Sequence, residues 1–517
     1  MAAPEEHIPD PSDPNAGPAT PQSTASRSSD SSESHRDFIN KGSRFMLLDN
    51  ASKVVEPLLV ILCAKVYAGG EWGTFKYYES LILLLIRLGS LGLDRGVVWI
   101  YSRCADDAAF IRRFSRVVNL VFLFSTAIFL FVLLQHLGYI PDIGSWTDIL
   151  PKAPPIQLTL FLASVPVQAC ASIFLQSLLN KRVLYLGILI KNLAVPVAIF
   201  GPALLLSMTQ YKYLGLALPY LFGNLLGMVL AFSGFLRHYR VSFKDWAFSA
   251  FPSMTLLRFS LPLASTDFFM SFAYRFDILL LGRYSGIKEV EIYSVIVMIS
   301  NTLRSLRQSF DGIMLSVFSE GTAREIGESQ RRNFNYASWL VTSVQIPFFF
   351  LALFFGKQLL ALISPVYAGG YRVLVVATFF NLLITVGVFS GQLLVGLGKT
   401  YMIPVSQVIY LVFTVVLNYL MVPAYGAEGA AWATGLSAVA STATCFVGIW
   451  YFAKSPILKL QYVLPLAASA CIFGAASGAH FLLRPPLAYD IALFLAAAGL
   501  FFAHCHRYWK RFNGRAG

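Results

Sequence analysis

Long apolar runs constrain this chain more than any other feature. Fourteen of them stand at about 44–67, 73–101, 115–138, 156–179, 183–208, 213–236, 258–282, 288–317, 332–355, 372–396, 401–422, 426–452, 461–483 and 487–507. Each is long enough to cross a bilayer, which takes roughly 20 residues of helix. Lipid offers no hydrogen bonds, so each backbone must satisfy its own, and helix is the default. A β-barrel is excluded, because its strands would alternate every second residue. The run Leu81-Ile82-Leu83-Leu84-Leu85-Ile86 does not alternate. Composition agrees: 56% of the residues are apolar and only 13% are charged, against about 25% in a soluble domain.

The net charge is +13. In a soluble chain that excess would point to nucleic acid. Here the basic residues mostly flank apolar runs and set orientation instead. Counted over alternate flanks, twenty-two Lys and Arg stand on one side and nine on the other. The richer side includes Arg36, Arg112, Arg182, Arg237, Arg332, Lys399 and Arg511; the poorer side includes Lys65, Lys152, Lys212 and Arg283. Both termini are therefore expected in the cytoplasm, as an even number of spans requires. All connections are short, the longest lying near 139–155, 237–257 and 318–331. None holds a soluble domain, so any function must sit among the helices.

Residues 1–36 are rich in Pro, Ser, Asp and Glu. They cannot bury enough surface to order themselves and are expected to form a disordered cytoplasmic tail. They lack the basic start and apolar run of a signal peptide. The six cysteines form no CxxC pair, and His504-Cys505-His506 reads as an interfacial helix end. Neither a disulfide framework nor a metal site is expected, and no cofactor-binding motif is present.

Eight basic residues fall inside the spans or near their ends: Lys53, Arg87, Arg95, Lys191, Arg258, Arg275, Arg304 and Arg307. A charge at the bilayer centre costs about 2.5–3.5 kcal/mol on insertion scales, so it persists where it is paired, wet or functional. The accompanying acids are Asp49, Glu56, Glu79, Asp94, Asp267, Asp277 and Asp311. All of these except Lys191 lie on spans one, two, seven and eight. That six-span interval divides the chain into a half at 37–240, a half at 241–455 and a final helix pair with a basic end at 456–517.

A weak repeat agrees with the division. Lys65-Val66-Tyr67-Ala68-Gly69-Gly70-Glu71 links spans one and two, and Gly282-Arg283-Tyr284-Ser285-Gly286-Ile287-Lys288-Glu289 links spans seven and eight. Pro57 and Pro262 are also six spans apart, and each permits a bend. Asp49, Lys53 and Glu56 share one helix face, as do Arg304, Arg307 and Asp311. Asp49 and Lys53 read as an internal pair. The second trio leaves one cation over, which fits a cavity for an anionic substrate.

Several stretches then resemble a known family. They are Leu91-Gly92-Leu93-Asp94-Arg95-Gly96 closing span two, Phe259-Ser260-Leu261-Pro262-Leu263 opening span seven, and Arg275-Phe276-Asp277 near its end. Glu291-Ile292-Tyr293-Ser294, Pro365-Val366-Tyr367 and Val422-Pro423-Ala424-Tyr425-Gly426-Ala427-Glu428-Gly429 follow in order. Together, from about 40 to 455, they resemble the polysaccharide-transporter (Wzx-like) oligosaccharide flippases of the multidrug/oligosaccharidyl-lipid/polysaccharide exporter superfamily.

The resemblance implies an all-α polytopic membrane protein of about 14 helices, with two six-helix lobes around a central cavity plus two C-terminal helices. It implies a multi-pass protein of the cell inner membrane. The expected substrate is a polyprenyl-diphosphate-linked oligosaccharide, moved to the outer leaflet for lipopolysaccharide or other surface polysaccharide assembly beside polymerases and glycosyltransferases. Cationic residues would hold the diphosphate: Arg275, Arg304 and Arg307, with Arg258, Arg87 and Lys53 as further candidates. H+ or Na+ coupling would fall to Asp49, Glu56 or Glu79, with Asp94, Asp277 and Asp311 in coupling or structural roles. A proline common after span eight in the family is absent here, where Asp311-Gly312-Ile313-Met314 stands.

Two other functions compete. A cation-coupled drug antiporter of the same superfamily would favour acids and aromatics in its cavity, whereas the embedded balance here is eight basic to seven acidic. A membrane-embedded polymerase or ligase would place catalytic groups in a large outer loop. The longest such loop, Tyr139 to Pro155, carries two Asp, one Lys and no His. No nucleotide-binding motif points to an ATP-driven pump, and the chain is expected not to be an enzyme.

Overall fold

Each of the fourteen apolar segments carries helix where it is described. The computed structural model describes residues 52, 55–104, 106–139, 155–181, 183–239, 246, 254–319, 328–453, 460–483 and 487–513. The tail 1–36, Asp49 and Lys53 lie outside these residues. The described residues all belong to the unit Asp49–Gly517, and no strand occurs among them.

Helix α1 covers 55–66. It is followed by α2 Glu71–Ser90, α3 Leu93–Tyr101, α4 Asp107–His136, α5 Pro155–Asn180, α6 Leu184–Ile188, α7 Val195–Leu206 and α8 Ala217–Tyr239. Then come α9 Met254–Ala273, α10 Phe276–Tyr284, α11 Ile287–Ser319, α12 Glu328–Ile363, α13 Tyr371–Thr385, α14 Ser390–Gly396, α15 Met402–Ala453, α16 Leu460–Leu483 and α17 Leu487–Asn513.

Eight stretches of the described chain are long and apolar enough to cross a membrane: 107–136, 156–180, 185–206, 217–239, 330–363, 365–396, 402–452 and 488–507. With α15 counted as two spans and α16 as a shorter apolar helix, the four spans missing from this set are one, two, seven and eight. Span one is described as continuous helix only over 55–66, too short a stretch to qualify. On span two the apolar stretch of α2 is interrupted by Glu71, Lys76, Glu79 and Arg87.

Two of the charged spans are also broken. Span two divides between α2 and α3, where Leu91 (φ 49°) and Gly92 (φ 65°) both adopt left-handed conformations. Span seven divides at Tyr274 and Arg275, between α9 and α10. Pro262 does not make that break, since α9 runs through it. Gly426 (φ 55°, ψ −134°) separates the two arms of α15, as the sequence boundary between spans eleven and twelve requires; only glycine adopts that conformation at low cost.

Helix association in lipid depends on close packing rather than on water exclusion. On α8, Gly223, Gly227 and Gly234 lie against Ile199, Val195 and Leu186, so α7 and α8 approach closely. An aromatic column, Phe110 on Tyr239 and Phe114 on Phe235 with ring centroids 5.0 and 4.6 Å apart, ties α4 to α8. Helix α5 packs on α2, α3, α4 and α8, while α15 packs on α10, α13 and α14. The two sets meet where α2 contacts α9, α10 and α11, and where α3 contacts α9. The pair α16–α17 leans on α12 through Phe350 stacked on Phe473 and Phe354 against Phe494.

Candidate functional site

The breaks in spans two and seven face one another across a cavity of about 500 Å³. Its walls are Arg87 from α2, Asp94 and Arg95 from α3, Gln176 from α5, and Asp267, Met270, Ser271, Tyr274 and Arg275 from α9 and its end. The left-handed turn at Leu91-Gly92 turns the chain so that Arg87 and Asp94, seven residues apart, meet at 3.3 Å. Gly92 is required there twice over. Its φ is positive, and a Cβ would lie 2.7 Å from the Ala264 amide nitrogen and 2.8 Å from the Ser260 carbonyl oxygen. Gly96, one turn on, leaves room for the Ser260 hydroxyl.

The arginines of the cavity are not equivalent. Arg87 is paired with Asp94, and Arg95 with Asp267 at 2.7 Å. The second pair joins residues 172 positions apart. Arg275 makes no ion pair or side-chain hydrogen bond among the described residues, and its buried Nε has no partner. Glu79, Asp277 and Tyr220 act on its charge from nearby without bonding to it. Three arginines face two aspartates in the wall, and Arg275 is the one left outside an ion pair. A free guanidinium beside open space is suited to an oxyanion with several acceptor oxygens, because its planar fork donates two parallel hydrogen bonds.

A smaller chamber of about 110 Å³ adjoins Tyr274 on the other side. Asp277 lies at its wall, 5% exposed. Its carboxylate accepts hydrogen bonds from the Tyr293 hydroxyl (2.6 Å), the Thr434 hydroxyl (3.3 Å) and the Ile278 amide (2.7 Å). Asn301, Asn381 and Tyr410 complete its polar lining. A third cavity, about 420 Å³, lies by the 67–70 turn. Its Lys212 is matched by Glu71 at 3.2 Å.

The candidates named from sequence separate accordingly. Arg87, Asp94 and Arg275 come together in the large cavity, and Asp277 stands in the chamber beside it. Glu79 is paired with Lys76 at 2.7 Å on α2, and Glu56 lies within electrostatic reach of Lys76, Glu79 and Lys191. Arg258 is exposed on α9 and does not line the cavity. Lys53 and Asp49, and the side chains of Arg304, Arg307 and Asp311 on α11, lie outside the described residues. Sequence reasoning noted Arg95 and Asp267 as embedded charges but gave them no place in the site. It passed over Tyr293 and Glu291, although both stand in the Glu291-Ile292-Tyr293-Ser294 stretch that carried the resemblance.

No family profile matches the sequence, and no curated protein is significantly similar to it. The fold, by contrast, is shared with solved structures. A lipid II flippase MurJ in an inward closed conformation superposes with a TM-score of 0.69 at 14% identity, over 90% of this chain and 98% of that one. An inward-facing multidrug resistance MATE family transporter of the MOP superfamily gives 0.57 at 14% identity, over 81% and 98%. A MOP superfamily transporter from Pyrococcus furiosus, described as having a binding pocket of reverse polarity, gives 0.51 at 14% identity, over 82% and 94%. These likenesses show that the chain shares the all-helical fold of those structures.

Proposed function

We propose that this chain is a flippase that moves a polyprenyl-diphosphate-linked oligosaccharide across the cytoplasmic membrane by alternating access. The observation that carries the reading is that Arg275 is left outside an ion pair in a cavity where Arg87 and Arg95 are already paired. A diphosphate brings about two negative charges and many acceptor oxygens, which suit that guanidinium. The fold supports the reading in kind, since a solved neighbour is named as a lipid II flippase. The halves at 37–240 and 241–455 would rock about the cavity, with α2 and α3 sliding against α9 and α11. Glycosyltransferases would supply the substrate, and polymerases would consume it.

Deletion of the gene should leave lipid-linked sugar on the cytoplasmic leaflet and deplete surface polysaccharide. Normal surface polysaccharide without such accumulation would reject the assignment.

Orientation follows the charge bias. A reporter active only in the cytoplasm should give signal when fused after Arg332 and none after Lys152. The reverse pattern at either site would overturn the topology.

Asp277 is the group we assign to cation coupling, because it is the buried carboxylate of a small oxygen-lined chamber next to the substrate cavity. Asp277→Asn should make flux insensitive to an imposed Na+ or H+ gradient, lowering gradient-driven flux by about tenfold while the chain still inserts. Unchanged gradient dependence would remove Asp277 from the coupling.

A cation-coupled drug antiporter is the second reading. What favours it is the same chamber, where Asp277 stands among Tyr274, Tyr293, Tyr410 and Phe380, a lining that suits an organic cation. Efflux of a cationic dye by cells expressing the chain would support it over the flippase.

A further inference from the structure

We propose that Glu291 is a latch that locks the outer ends of the two halves together, and that it must release in every transport cycle. This inference rests on the rocking motion assigned above, and on the orientation that places the 67–70 turn outside.

Glu291 is fully buried at the start of α11. No ion pair reaches its carboxylate among the described residues. It accepts instead two successive main-chain hydrogen bonds from the other half, from Gly69 N–H to Oε1 at 2.9 Å and Gly70 N–H to Oε2 at 2.5 Å. Both glycines have φ of 115°. That left-handed backbone aims consecutive N–H groups at one anion, as in the nests that hold phosphate elsewhere. A third donor is Tyr367. Its hydroxyl lies 3.1 Å from Oε1 and 2.7 Å from the Ala64 carbonyl oxygen, so it shares one proton between the latch and α1.

The helix contact behind the latch is tight, while the 67–70 turn in front of it borders the cavity of about 420 Å³. A Cβ on Gly73 would overlap the Ile287 carbonyl oxygen, and one on Gly282 would overlap the Tyr77 ring. Helix α2 therefore lies directly on α10 and α11 at this end. A buried carboxylate is tolerated only while its hydrogen bonds are made. Separation of the halves would take both glycine amides from Glu291 at once, and water entering the gap would solvate them all. The arrangement thus has two satisfied states, closed with protein donors and open with water. The intermediate, with the carboxylate dry and unbonded, is unfavourable.

The test reads opening directly. Ser271 lines the central cavity, so Ser271→Cys reports access from outside to an impermeant maleimide added to intact cells. Labelling at residue 271 is quantified by mass spectrometry and divided by protein abundance. Glu291→Gln keeps the shape but replaces one acceptor oxygen with a donor facing a glycine amide. It should raise outside labelling by about tenfold or more. Tyr367→Phe leaves the carboxylate in place and should raise it by a smaller factor. Gly73→Leu wedges the helix contact behind the latch apart and serves as the comparison.

Labelling that rises for Gly73→Leu but not for either latch variant would overturn the latch and leave the rocking motion standing. Labelling that rises for none of the three would overturn both. A rise for Glu291→Gln supports the latch whether or not the substrate is a lipid-linked sugar, because the assay reads access to the cavity and not transport.

Discussion

Arg275→Ala is expected to lower flux by about tenfold to a hundredfold, with the chain reaching the membrane in normal amount. That range corresponds to the roughly 1.5–3 kcal/mol of a hydrogen bond to a charged group. The reasoning is local. Arg275 makes no ion pair among the described residues and its buried Nε has no partner, so its removal breaks no ion pair, and the nearby Glu79 and Asp277 keep Lys76 and the Tyr293 and Thr434 hydroxyls as partners. Arg275→Lys should retain part of the flux, since it keeps the charge and loses the fork. Arg95→Ala should behave differently. It would leave Asp267 unpaired in the cavity wall, and protein abundance should fall with flux. Neutralising Asp267 as well should then recover the abundance. Flux and abundance measured together in each variant separate the two roles. Wild-type flux in Arg275→Ala would reject the anionic site.

Gly92→Val should be the most damaging single change near the cavity. It forces a β-branched residue to a φ of 65° and drives a Cβ into the Ala264 amide and the Ser260 carbonyl, both main-chain groups. A left-handed residue other than glycine costs roughly 1–2 kcal/mol, and overpacking adds about 1–3 kcal/mol. The expected loss of about 2–5 kcal/mol should appear as a lower unfolding midpoint of the purified protein in detergent, with flux abolished. Gly96→Leu meets the Ser260 hydroxyl and the end of the Leu256 side chain, which can shift. It should therefore impair transport while inserting normally. Unchanged flux in both variants would mean that the turn between α2 and α3 is only a helix end.

Much of the fold was legible because lipid leaves few choices. An apolar run of sufficient length must be helical, and the segment limits near 183–208 or 426–452 fall within a few residues of the helices found. The clustering of charges on four spans was equally legible, since a charge in lipid needs a reason. The break in span two could be read from Gly92 and Gly96, because glycine marks close backbone approach.

The break in span seven could not. Pro262 was the visible signal, yet α9 runs through it, and the chain instead breaks at Tyr274-Arg275, where no helix-breaking residue stands. Tertiary packing sets that break. The pairing of Arg95 with Asp267 was hidden for a related reason. Helical spacing reports neighbours three and four residues away, and this pair spans 172 positions. Glu291 was passed over because it opens a span, where an acid normally faces water. Burial, visible only in three dimensions, gives it a role.

The most direct test of the flippase assignment uses the purified chain in liposomes. A polyprenyl-diphosphate disaccharide bearing a fluorophore is placed in both leaflets, and an impermeant quencher reads the outer one. A flippase makes the inner pool accessible, Arg275→Ala liposomes do so about tenfold to a hundredfold more slowly, and a polyprenyl lipid with a neutral headgroup does not move. Equal movement of the neutral lipid, or uptake of a lipophilic cation with no movement of the diphosphate lipid, would contradict the assignment.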